Sequence, residues 1–145
     1  MSPRNGARRL TIMALAFAVM ACATPEPAPD LLAPTDEQMK LRNLQTRTFD
    51  VSDRNQAMRA VIAALQDLGF IIERANESLG LVTAARFAEP RYFDVVGVTV
   101  TVRPEPEGRM LIRANAIYNN EPVTDPKVYQ NFFATLERSL FIGRN

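Results

Sequence analysis

Between Tyr92 and Arg103 the chain alternates with a period of two. Val96, Val98, Val100 and Val102 fall on one side, and Gly97, Thr99, Thr101 and Arg103 on the other. Pro104-Glu105-Pro106-Glu107-Gly108 turns the chain back into Arg109 to Tyr118, where Met110, Ile112, Ala114, Ala116 and Tyr118 share a face opposite Arg113 and Asn115. Successive side chains of a strand point to opposite faces, so this pattern describes an antiparallel sheet with one face buried and one wet. Such a sheet needs a cover, and the flanking sequence supplies it.

Two amphipathic helices are predicted. From Arg54 to Leu68 the apolar residues Met58, Val61, Ile62, Leu65 and Leu68 recur at spacings of three and four, with Asp53 and Gln56 offering a capping box and Gly69 a left-handed stop. Near the C-terminus Asp125 and Pro126 start a second helix, on which Val128, Phe132, Leu136 and Leu140 form a row widened by Tyr129 and Phe133. Thr46 to Val51 reads as a first strand, and Phe70 to Ala75 and Leu81 to Arg86 as a hairpin around Asn76-Glu77-Ser78-Leu79-Gly80. The order is β-α-β-β-β-β-α: an α+β fold with a four- to five-stranded antiparallel sheet and two helices on one face, helix-grip-like.

The N-terminus says where such a domain is held. Arg4, Arg8 and Arg9 precede an uncharged apolar run from Leu10 to Val19. Those residues are too few for a bilayer core of about 30 Å, which takes roughly 20 apolar residues, so a cleaved signal peptide is expected instead. Leu15 to Cys22 resembles the lipobox of bacterial lipoprotein signal peptides, with Val19 and Ala21 at the aliphatic and small positions before Cys22, the one cysteine of the chain. Met20 is a less usual occupant of the position between them. The resemblance implies cleavage between Ala21 and Cys22, a diacylglycerol on the Cys22 thiol and fatty acylation (palmitate or a similar chain) of the new amine. Ala23 in place of an aspartate implies the outer membrane, with the domain facing the periplasm. Arg8-Arg9 also suggests twin-arginine export, but Thr11 stands where that motif prefers an aromatic residue.

Residues 22–45 then read as the lipidated cysteine and a Pro-rich tether. Pro25, Pro27, Pro29 and Pro34 lie among Glu26, Asp30, Asp36 and Glu37 without apolar periodicity, so an extended, mostly disordered stalk is expected. Gln38 to Leu44, with Met39, Leu41 and Leu44, is apolar enough to serve as a partner-binding motif instead. Residues 46–145 form the single predicted domain. Removing residues 1–21 takes three arginines and no acid, so the 17 basic residues of the full chain fall just below its 16 acidic ones. A near-neutral chain with scattered arginines gives no basic stripe for nucleic acid. With a single cysteine, no disulfide can form within the monomer.

A second resemblance rests on Arg47-x-Phe49, on Ala60-Val61-Ile62-x-Ala64-Leu65-Gln66-Asp67-Leu68-Gly69-Phe70, and on Leu79-Gly80-Leu81-Val82-Thr83. Over roughly Arg47 to Ile142 the chain is similar to a group of small, functionally uncharacterised outer-membrane lipoproteins. Its motifs are structural, so the resemblance carries no catalytic residue across.

The residues themselves speak against an enzyme. The chain has no histidine, and Cys22 is committed to lipid. Ser52, Ser78 and Ser139 lack the context of an activated nucleophile, while Asp50 and Asp53 are explained by the strand-to-helix junction. No catalytic residue, metal or cofactor is expected. Asn119 to Asp125 offers oxygen ligands for Ca²⁺ but lacks a recognised loop spacing, and reads as a surface loop ending in a helix cap. Asp94 falls in register with Tyr92 and Val96, as a frayed strand start or a partner for an arginine. Phe93, Val95, Leu111 and Ile117 would lie on the sheet face away from the helices, where four apolar groups suggest a contact surface. Strand ends buried on both faces would explain them equally well. The expected function is therefore that of a non-enzymatic accessory module, anchored by lipid and binding an envelope protein. The alternative is a carrier or sensor of a small apolar ligand held between sheet and helices.

Overall fold

The computed structural model describes residues 33–88 and 93–143. Ala21 and Cys22, the rest of the expected signal peptide and most of the expected tether lie outside the described residues. Pro34–Asn145 is one unit. Its elements in chain order are α1 (Asp36–Leu44), β1 (Thr46–Phe49), α2 (Arg54–Asp67), β2 (Ile71–Asn76), β3 (Leu81–Phe87), β4 (Val95–Glu105), β5 (Arg109–Tyr118), β6 (Glu121–Pro122) and α3 (Pro126–Ile142). The strands make an antiparallel sheet in the order β1-β5-β4-β3-β2, with β6 also on β5. It is an open-sheet α+β fold of the expected kind, with one helix and one short strand more than the sequence pattern suggested.

The extra helix corrects the reading of residues 36–44 as part of an extended tether. Thr35 and Gln38 form a reciprocal capping box: the Gln38 N–H donates to the Thr35 hydroxyl at 3.2 Å, and the Thr35 N–H donates to the Gln38 side chain at 2.9 Å. Asp36 and Glu37 in the first turn and Arg42 in the last complement the helix dipole. Leu41 packs against the core, and Gln45 just after the helix is only 2% exposed. The folded unit therefore includes the end of the segment assigned to the stalk.

Helix α2 departs from its expected start in one respect. Asp53 caps it, accepting from the Asn55 N–H at 2.8 Å, but Gln56 does not reach back. Its amide donates instead to the Gly143 carbonyl at 3.3 Å, joining α2 to the end of α3. The other end is as the sequence indicates. Gly69 has φ +81, and the Phe70 N–H reaches the Leu65 carbonyl at 2.9 Å, the six-to-one bond of a Schellman stop.

Strand β4 runs through Pro104 and Glu105, which the sequence assigns to a turn. Pro104 still pairs with Met110 on β5, while pairing with β3 ends at Thr101. Its missing N–H therefore falls on an unpaired edge and disturbs nothing. The extra strand comes from Asn119 and Asn120, with φ of +46 and +70, which place a two-residue hairpin between Tyr118 and Glu121.

The core lies between the sheet and α2 with α3. Val82, Val100, Val102 and Ile112 of the sheet are buried with Val61 and Leu65 of α2 and with Phe133 and Leu136 of α3. Phe133 meets Phe132 edge-on at 5.1 Å and Phe49 at 6.2 Å, and the Arg47 guanidinium lies 4.9 Å over its ring. No helix among the described residues is long and apolar enough to cross a membrane.

Candidate functional site

Three regions are candidates, one under the sheet and two on its outer face. Beneath the sheet, Phe132 and Phe133 fill the centre, but beyond them a cleft of about 590 Å³ remains between the strand ends and the N-terminus of α3. Val96, Val98 and Ala116 form its floor, with Phe70 and Val128 as apolar walls. Arg86, Glu121 and Asn131 bring polar groups to it, and the Arg86 guanidinium sits 5.0 Å over the Phe70 ring. A cleft with this lining suits a small apolar ligand with a polar end.

On the outer face the alternation of the strands produces cross-strand rows. One row reads Ile71, Ala85, Gly97, Ile117 and Pro122 across five strands, and beside it Phe87 pairs with Val95. Gly97 makes this end close-fitting: a Cβ there would stand 3.1 Å from Ile117 Cγ1, so Ile117 lies over the glycine. Ile71 and Phe87 are 70% and 61% exposed, and Val95 and Ile117 are also exposed. Phe93, in the loop two residues before Val95, is 97% exposed. Val95 and Ile117 thus come together with Ile71 and Phe87. Leu111 does not join them. It lies six positions from Ile117 on β5, about 20 Å away along an extended strand, half-buried and opposite Arg103.

That second end of the outer face is polar. A groove of about 610 Å³ runs between the last turn of α1 and the strands. Arg113 stands between Thr46 of β1 and Thr101 of β4, Arg103 lies in the next row, and Arg42 comes from α1. Beneath it, the buried Gln45 accepts from Arg113 at 3.3 Å and donates to Asn115 at 3.0 Å and to the Tyr129 hydroxyl at 3.2 Å. Tyr129 in turn donates to the Val123 carbonyl at 2.6 Å. Along the sequence these arginines are scattered. The β4–β5 pairing makes Arg103 and Arg113 neighbours, and the return of β1 to β5 adds Arg42 from α1.

The remaining candidates have local partners. Asp94 accepts from the Tyr118 hydroxyl, and from Asn119 at 2.8 Å, so it pins the β4 entry to the β5–β6 hairpin. The Asn119 to Asp125 segment, weighed as a Ca²⁺ loop, is that hairpin followed by the α3 cap: Asp125 accepts from the Lys127 N–H at 2.9 Å. Ser78 donates to Asn76 at 2.7 Å within its turn, and Ser139 to the Thr135 carbonyl at 3.1 Å within α3. Among the described residues no three His, Cys, Asp or Glu side chains stand close enough to hold a metal ion.

No family model matches this chain, and no curated protein does. Among solved structures it is similar to the adenylate sensor of AMP-activated protein kinase, crystallised with the ribonucleotide ZMP, at 11% identity and a TM-score of 0.47, over 66% of this chain and 94% of that one.

Proposed function

We propose that the chain is a lipid-anchored, non-enzymatic interaction module of the bacterial cell envelope, held at the outer membrane by acylated Cys22 and facing the periplasm. Its partner is an envelope protein, bound through the apolar end of the outer sheet face. The observation that carries this reading is the pair of adjacent rows in which Ile71, Phe87, Val95 and Ile117 stay exposed. Single exposed apolar residues are ordinary, whereas a contiguous group on a rigid sheet marks a contact surface. Burying it on a partner would release the water that it now orders, at about 25 cal/mol per Å².

The anchor would strengthen such a contact without adding to it. Two or more acyl chains hold a protein stably in a bilayer, so the domain is confined to a thin shell. Its effective concentration for a partner in the same shell rises accordingly. A photoreactive residue in place of Val95, in living cells, should give one dominant adduct, which Phe87→Asp should abolish without moving the melting temperature. Equal adducts from Val95 and from Thr101, on the polar half of the same face, would refute the assignment. Cys22→Ser should leave the chain out of the membrane fraction.

The cleft above Val98 and Ala116 favours a second reading, a carrier of a small apolar ligand. Native mass spectrometry of the chain, purified without detergent, should then show a co-purifying lipid-sized mass that Ala116→Phe removes. A clean apo mass would set this reading aside.

A further inference from the structure

We infer that the groove between α1 and the outer sheet face binds a phosphorylated sugar, with Arg42, Arg103 and Arg113 around the phosphate. The site is separate from the apolar end proposed as the protein contact and does not depend on it.

Three observations support an anion. Arg42, Arg103 and Arg113, like most arginines among the described residues, form no ion pair, so no acid of the fold neutralises the groove. The pairs Arg59–Asp53 at 4.0 Å and Arg109–Glu107 at 3.6 Å lie outside its lining. The acid on this face of β4 is Glu105, which accepts from Thr48 at 3.3 Å and lies outside the groove lining. Arg113 is also positioned in advance, since its guanidinium donates to Gln45, which is 2% exposed and itself held by Asn115 and Tyr129. A charged donor fixed by a buried amide loses little freedom when it meets a ligand.

Geometry narrows the anion to a phosphate. Arg113 faces Thr101, and Leu111 faces Arg103, so the two arginines are diagonal neighbours on adjacent strands, at roughly 7–8 Å between backbones. Arg42 approaches from α1. Guanidinium groups arriving from more than one side suit a tetrahedral dianion better than a flat carboxylate, which one bidentate fork satisfies.

Volume and lining narrow the rest of the ligand. At about 610 Å³ the groove is far larger than a bare phosphate and within the range of small-molecule sites. Beside the arginines the lining consists of Asn43, Thr46, Thr99, Thr101 and Asn115 together with the apolar Leu111, with no aromatic ring on which a base could stack. Hydroxyl-rich ligands match such a lining, and a sugar is the simplest of them.

Titration of the purified full-length chain with glucose-1-phosphate, glucose and inorganic phosphate, followed by calorimetry and amide NMR, tests this. Glucose-1-phosphate should bind saturably and shift the Thr46, Thr101 and Arg113 amides, with inorganic phosphate at least about tenfold weaker and glucose silent. Arg42→Gln and Arg103→Gln, which leave the Gln45 contacts intact, should each weaken binding by about tenfold, as expected for a charge-assisted hydrogen bond, without moving the melting temperature. Phosphatidylcholine vesicles with and without phosphatidylinositol phosphate separate the sources. Retention on the phosphorylated vesicles, lost in Arg103→Gln, identifies a lipid headgroup, and binding of the soluble sugar phosphate alone identifies a free one. Either result supports the site. Absence of both saturable glucose-1-phosphate binding and retention on the phosphorylated vesicles, binding that survives the double Arg42→Gln and Arg103→Gln change, or inorganic phosphate binding as tightly as the sugar phosphate would overturn it.

Discussion

The two faces of one sheet are built to opposite rules. On the inner face, Val82, Val100, Val102 and Ile112 are covered by α2 and α3, and each position is set by volume. On the outer face, among the described residues, only the last turn of α1 comes near, at one end, and the alternate residues of the same strands sort along the strand direction into an apolar half and an arginine half. The difference teaches where selection by packing stops. A residue that nothing covers is free to be chosen for what it meets from outside.

This contrast can be broken by substitutions that should differ in size in a fixed order. Phe133→Ala, at the centre of the aromatic contacts, should cost about 3–5 kcal/mol in denaturant unfolding. Gly80→Ala should follow at about 3 kcal/mol, because φ is +62 and a Cβ would stand 2.2 Å from the Val102 carbonyl oxygen. Gln45→Ala should cost about 2 kcal/mol, since it removes a buried amide that bonds the Tyr129 hydroxyl, Asn115 and Arg113. Gly69→Ala should cost only about 1 kcal/mol, for it shares the positive φ but has nothing within 4 Å of the added methyl group. Phe87→Ser, on the outer face, should change stability by less than about 0.5 kcal/mol while lowering self-association at high concentration. A Phe87→Ser loss as large as that of Phe133→Ala would erase the distinction between the faces.

Much of the inner half was legible because periodicity reports it directly. The valines of β4, the three-and-four spacing of α2 and the aromatic row of α3 all describe a buried side. Gly69 and Pro126 mark helix ends by backbone chemistry alone, and both stand where the sequence placed them. The outer half was legible only in part. Val95 and Ile117 share a patch, but Ile71 and Phe87 were missed because each sits at a strand end, where alternation has no second period to confirm it. Leu111 was grouped with them by face, yet distance along the strand separates it. Helix α1 escaped because proline and acidic residues dominate the composition just before it, although Thr35 and Gln38 had the spacing of a capping box. The arginine groove was legible only in part, since the β4–β5 hairpin puts Arg103 and Arg113 on one face but no local pattern shows that Arg42 will join them.

The same topology sets an order of events. Strand β1 pairs with β5, far along the chain, with Thr46 meeting Arg113 and Phe49 meeting Met110, while β2 to β5 each pair with the strand next in sequence. The four later strands can zip together as local contacts form, but the first strand out must wait, unpaired, for nearly the last. Closing a long loop costs more entropy than pairing neighbours, so β1 is expected to dock after β2 to β5 have paired. On that order the full arginine groove and the Gln45 contacts form together, as β1 docks.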